Sequence, residues 1–163
     1  MSITLTRPCD APAGAKFLQQ GPRWRYHFDI TGKWTKLPEG VHGYHSGRDL
    51  VAPIGTPLVS PIDGKVLVTG WQDPQNSLVG FGLRVILEGT RSVESFDGVM
   101  VKSYVYLAHL SEIFVVAGAM VYAGSTHIGL SGMTGNSTGP HLHVEVADPR
   151  WTPRRPLPFE WKS

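Results

Sequence analysis

The sequence predicts a mainly β protein, an antiparallel sheet with little helix, and three observations carry that prediction. Glycine (19) and proline (13) together make up 32 of 163 residues, turn chemistry that favours short, tightly joined strands. Runs such as Lys65-Val66-Leu67-Val68-Thr69 and Leu83-Arg84-Val85-Ile86-Leu87 are apolar, rich in β-branched residues and bounded by turn signals. The stretch 139–146, GPHLHVEV, alternates: Leu142, Val144 and Val146 point to one face, His141, His143 and Glu145 to the other. No helical segment longer than about two turns is legible.

Taken in order, residues 1–40 read as an irregular lead-in broken by Pro8, Pro12, Pro22 and Pro38, with one short strand over 23–29. Trp24, Phe28 and Trp34 in this stretch are assigned to packing under the core. Val41 opens a strongly patterned region, 41–149, read as the catalytic core. Its strands are expected over 65–70, 83–88, 100–110, 119–123, 127–130 and 141–146. Asp73-Pro74 and Asn76-Ser77 mark a loop over 71–80. Thr90 to Gly98 reads as a longer connection with Asp97-Gly98 at a hairpin tip, and residues 111–116 as a turn of helix. Residues 131–138, SGMTGNST, tolerate unusual backbone angles or bond their own backbone and deliver the chain into His141. Residues 150–163 form a C-terminal strap. The whole, 1–163, is expected to be one domain, since the length suits a single core.

Composition excludes several classes. Hydrophobic residues make up 41%, so the chain is globular, and 17% are charged, below the usual quarter. A net charge of +2 suits an anionic surface but is too small to argue nucleic-acid binding, and no basic run with interleaved aromatics occurs. A single Cys9 excludes an internal disulfide framework. Residues 1–18 show neither the basic nor the apolar region of a signal peptide, and no apolar run approaches the ~20 residues of a membrane span. A monomer is expected.

The chemistry gathers at two places. At about 3.3 Å of rise per residue, His141 and His143 stand about 6–7 Å apart on one strand face, so both converge on one metal-sized point. Upstream, His45-Ser46-Gly47-Arg48-Asp49 offers an imidazole and a carboxylate. A catalytic zinc takes three protein donors and leaves one position open. His45 and Asp49 supply two and one His of the 141/143 pair the third; spacing alone does not choose between them. His27, His42 and His127 are read as bystanders, although His42 lies close enough to His45 to compete.

These residues resemble a family. HxGxD at 45–49, PxGTPLxxPxDGKV at 53–66, AHL at 108–110, VxAGxxxIGxSGxTGxSTG at 121–139 and PHLHVEV at 140–146 are similar, in order and spacing, to the LytM/lysostaphin-type zinc endopeptidases, which cut the peptide part of bacterial peptidoglycan. The resemblance covers roughly 41–149. It implies a lysostaphin-like antiparallel sheet whose open groove is walled by loops, one Zn2+ held by His45, Asp49 and His143, and catalytic His109 and His141. It implies stem peptides and cross-bridges of peptidoglycan as substrate, with action at the bacterial cell wall. One position departs: the family commonly has Tyr two residues before the AHL histidine, where this chain has Leu107. Tyr106 stands one place earlier, which on a regular strand turns its ring to the opposite face, and it receives no catalytic role; Tyr44 is the candidate substitute.

With no HExxH motif to bring a Glu base, His109 and His141 are expected to divide the proton transfers, and Glu145 to orient a neighbouring histidine. The setting best suited is a phage lysin or virion-associated hydrolase, followed by an exported bacterial remodelling enzyme. The alternative reading is a non-catalytic wall-binding, activator or virion structural module on the same scaffold. A general protease acting on Gly-rich proteins comes third.

Overall fold

The computed structural model describes residues 2–21, 24, 26–28, 34–38, 42–151 and 154–163, with the backbone alone at 26–28 and 34. The expected packing of Phe28 and Trp34 therefore lies outside the described side chains. Fifteen strands follow in order: β1 (Thr4–Leu5), β2 (Gln20–Gly21), β3 (Tyr26–Phe28), β4 (Trp34–Lys36), β5 (Gly43–Tyr44), β6 (Arg48–Leu50), β7 (Pro57–Val59), β8 (Gly64–Trp71), β9 (Leu83–Glu94), β10 (Met100–Ile113), β11 (Met120–Val121), β12 (His127–Ser131), β13 (Leu142–Asp148), β14 (Arg155–Leu157) and β15 (Glu160–Trp161). No helix occurs among the described residues, and none is long and apolar enough to cross a membrane.

A nine-stranded sheet organises the molecule, with β11-β8-β9-β10-β12-β7 as its path. Its axis is β10, which pairs antiparallel with β9 along one edge. Along the other edge β10 changes partner midway: Tyr104 to Ala108 pair with β13, whereas Leu110 to Ile113 pair with β12. β13 in turn pairs with β6 and β14. Leu50, Leu58, Val66, Val85, Leu87, Val105, Leu107, Leu142, Val144 and Val146 share the single large core cluster. They recur every second residue along their strands, as half-buried strands demand.

Two expectations need correction. Residues 111–113 continue β10 instead of starting a helix, because Glu112 and Ile113 find ladder partners in Leu130 and Gly129. The connection 90–98 is also shorter than expected: β9 runs on to Glu94 opposite Met100. The hairpin tip does fall at Asp97-Gly98, with Gly98 at φ +79° and Ser95 N–H donating to Val99 O.

The segments flanking the core are built into it. The described residues of 1–40 include four short strands in place of the one expected, and β1 lies parallel to β15. Leu5, Leu157 and Phe159 are buried in the core cluster. Arg48 Nε donates to Phe159 O at 2.7 Å and its guanidinium meets Glu160 at 2.6 Å, tying β6 to the chain's end.

Candidate active site

The site begins as a consequence of strand register. β6 pairs with β13 so that Asp49 stands opposite His143. Leu142, Val144 and Val146 fill the core face of β13, which leaves His143 and Glu145 on the other face. Gly47 permits the approach: a Cβ there would lie 2.2 Å from Val144 O and 2.9 Å from His143 Cε1. His45 is brought in by the lead-in, where its backbone N–H donates to Gln19 O and its Nδ1–H donates to Lys16 O at 2.9 Å. That second bond leaves Nε2 facing Asp49 and His143.

Three donor atoms consequently form a small triangle. His45 Nε2 is 3.0 Å from His143 Nδ1 and 3.2 Å from Asp49 Oδ1, and His143 Nδ1 is 3.0 Å from the same Oδ1. Donors about 2.0–2.1 Å from a tetrahedral zinc stand about 3.3–3.4 Å apart, so the triangle needs an expansion of only a few tenths of an ångström. The two histidines are buried and Asp49 is partly so. The electrostatics point the same way. Burial opposes the charge on Asp49, but hydrogen bonds with His143 and His45 outweigh it and hold the carboxyl well below its usual range. Burial also opposes charge on His143, yet Asp49 and Glu145 hold its pKa up at about 9. The pocket is thus arranged to hold positive charge between its donors.

Behind the triangle, Glu145 is fully buried. His143 Nε2–H donates to its Oε2 at 3.3 Å, Ser46 Oγ–H donates to the same oxygen at 2.6 Å, and Arg154 reaches both oxygens. Burial raises the carboxyl pKa, but Arg154 first and His143 next bring it down to about 2. An ionised Glu145 fixes the ring tautomer that turns Nδ1 to the triangle. Phe81 stacks on His143 at 5.7 Å between centroids, and Trp24 lies 5.0 Å from His45.

Beside the triangle stand the other two histidines. His141 Nδ1–H donates to Gly139 O at 2.8 Å, and its Nε2 lies 3.7 Å from Asp49 Oδ2. His109 Nδ1–H donates to Thr134 O at 2.6 Å, and its ring is 4.7 Å from that of His141. In both rings the Nδ1–H bond to a backbone carbonyl fixes the ring and leaves Nε2 for other partners. Burial, then the neighbouring His143 and His141, lower the pKa of His109 to about 3, so the ring is neutral and its Nε2 can accept a hydrogen bond.

His109 reaches this place through a backbone irregularity. It has φ +63°, and the register of β10 shifts between Leu107 and Leu110 on the β9 side. It also marks the switch from β13 to β12. The extra residue is a bulge that turns His109 away from the core while Leu107 and Leu110, both fully buried, remain in it. The same bulge overturns the expectation for Tyr106. Its ring shares the site face, 5.4 Å from Phe81 and 5.1 Å from the Arg154 guanidinium. The period-2 argument failed because it assumed an unbroken strand between Tyr106 and His109.

All five residues singled out in the sequence meet in one place. His42 and His127 are exposed and stand apart from the triangle; the His27 side chain lies outside the described residues. Sequence reasoning gave no part to Ser46, Thr134 or Arg154. Ser46 and Thr134 sit inside the quoted motifs, but Arg154 carries no local signal at all.

The class follows from this geometry: a β-sheet metallopeptidase domain whose donor set takes one Zn2+. Residues 43–156 match the model of Peptidase family M23, and the chain belongs to that family, in its LytM/lysostaphin type. It is 37% identical over 126 residues to the glycyl-glycine endopeptidase ALE-1 of Staphylococcus capitis, an alignment covering 75% of this chain and 31% of that protein. It is 37% identical over 102 residues to the peptidoglycan DD-endopeptidase ShyA of Vibrio cholerae, covering 63% of this chain and 20% of that one. The catalytic domain of lysostaphin from Staphylococcus simulans superposes with TM-score 0.53 and 32% identity over 80% of each chain. A zinc-containing peptidase from Vibrio cholerae gives 0.61 and 26% identity, over 96% of this chain and 39% of that one. The chain thus spans a third or less of the length of these two curated relatives.

Proposed function

We propose that the protein is a zinc-dependent endopeptidase that hydrolyses the peptide cross-links of bacterial peptidoglycan and works as a monomer at the cell wall. The observation that carries this is the triangle of His45, Asp49 and His143 at 3.0–3.2 Å with two Nε2-presenting histidines beside it. In this reading those three residues hold the ion. Zinc bound there supplies Lewis-acid polarisation of the scissile carbonyl and acidifies the attacking water towards a pKa of about 7.

His109 and His141 divide the catalytic work. A neutral His109 suits positioning of the attacking water through a hydrogen bond accepted at Nε2. His141, whose Nε2 lies 3.7 Å from Asp49 Oδ2, suits the complementary part: carrying a second proton on Nε2, it donates a hydrogen bond to the carbonyl oxygen as charge develops there and passes that proton to the leaving amine. The peptidoglycan substrate is supported by ShyA, whose name specifies it, and the endopeptidase reading also by ALE-1, whose name specifies a glycyl-glycine bond. A lysin setting, phage-encoded or virion-associated, belongs to the same proposal.

The test is digestion of purified sacculi of both cross-link chemistries, glycyl-bridged and directly linked, with the freed ends identified by mass spectrometry. Asp49→Ala and His143→Ala should lose both zinc and lysis. His109→Ala should keep one zinc per chain and lose turnover; near-normal activity in that variant would remove His109 from the mechanism. Lysis of susceptible cells by added protein tests the lysin setting.

A further inference from the structure

Arg154 lies in the strap, beyond every motif quoted above, yet its guanidinium grips both oxygens of Glu145, at 2.9 Å from Nη2 to Oε2 and closer still from Nε to Oε1. Its Cζ lies over two rings, 4.7 Å from the centroid of Phe81 and 5.1 Å from that of Tyr106. Phe81 in turn stacks on His143. The Glu145 side chain is 0% exposed, and a carboxyl group at such depth depends on close, well-oriented partners. Its remaining acceptor capacity is spent on Ser46 Oγ–H and His143 Nε2–H.

We infer that Arg154 is a positioning residue for the metal site: it fixes the orientation of Glu145, and Glu145 holds His143 with Nδ1 toward Asp49 and His45. The inference rests on the metal-site reading above. It makes the strap a working part of the centre, and it names a bidentate, stacked geometry that lysine does not reproduce.

The experiment measures zinc affinity of the full chain by competition with a chromogenic chelator, for Arg154→Gln, Glu145→Gln and the double variant. Visible spectra of the Co2+-loaded proteins report coordination. Loss of an outer partner of a metal ligand costs about 10–100-fold in affinity, and Arg154→Gln should fall in that range with an altered Co2+ spectrum. Because Arg154 acts through Glu145, the double variant should bind no more weakly than Glu145→Gln alone. Arg150→Gln is the control: it breaks a bidentate pair with Asp97 and contacts to Asp148 elsewhere on the tail and should leave zinc affinity unchanged. If Arg154→Gln does not fold, Arg154→Lys, which keeps the charge, should still lose affinity severalfold.

Zinc affinity within twofold of wild type in the Arg154 variant, or single effects that multiply in the double variant, would overturn the inference while leaving the metal site intact. Wild-type protein that takes up no zinc would sink the metal-site reading and this one with it.

Discussion

Replacing Gly47 by alanine tests whether backbone approach between β6 and β13 builds the metal centre. The added Cβ would sit 2.2 Å from Val144 O, and real Cβ atoms essentially never come within 3.0 Å of another heavy atom. The strands must therefore part by at least about 0.8 Å, some four times the roughly 0.2 Å tolerance of a metal site. Both groups flanking the clash are donors' neighbours: Asp49 follows Gly47 by two residues, and His143 precedes Val144. Overpacking of this kind costs about 1–3 kcal/mol, which for a domain of this size lowers Tm by roughly 2–12 °C. Zinc content by atomic absorption after dialysis against buffered free zinc, with far-UV circular dichroism as the folding check, reads both effects. The expected result is a folded protein with most of its zinc affinity gone. A Gly47→Ala protein that binds one zinc as tightly as wild type would refute the claim that register and close approach assemble the triangle.

Further outcomes follow from the same geometry. Phe159→Ala removes a ring 2% exposed in the core and should cost about 3–5 kcal/mol by denaturant titration, although it lies far from the motifs; a loss below 1 kcal/mol would show that the strap is peripheral. Glu145 has its pKa depressed from 4.5 to about 2, so its contribution is fully present above pH ~4.5 and is lost as pH falls towards ~2. Metal-stripped protein should lose stability progressively across that interval, and a flat profile would contradict an ionised Glu145. Thr134 Oγ1 accepts from Leu83 N–H at 3.1 Å and donates to Leu110 O at 2.7 Å, while its carbonyl holds His109. Thr134→Val should lower kcat about tenfold, for roughly 1.4 kcal/mol of lost alignment, with zinc content unchanged; equal loss of zinc would place Thr134 in metal retention instead. Zinc uptake near pH 7.5 should release at least about one proton, because His143 is held protonated in the metal-free site and zinc acidifies its bound water. Calorimetry in buffers of different ionisation enthalpy measures that number, and zero release would contradict the assignment.

What local sequence determined is what repeats locally. The alternation of Leu142, Val144 and Val146 against His143 and Glu145 follows from side chains projecting to opposite faces, and it appeared in the fold unchanged. Turn residues marked the hairpin tip at Asp97-Gly98, and spacing and family resemblance together named five candidate site positions that the fold brings together. Tertiary structure alone decided the rest, because those features depend on residues that meet only after folding. A bulge appears where β10 changes partner from β13 to β12, and no period in 100–113 announces it; it set the faces of His109 and Tyr106 at once. Segment 111–113 became strand because ladder partners were present in β12. Arg154 is nine residues from Glu145 in the chain and carries no motif, and only the return of the tail over Phe81 and Tyr106 brings its charge to a carboxylate buried behind the metal donors.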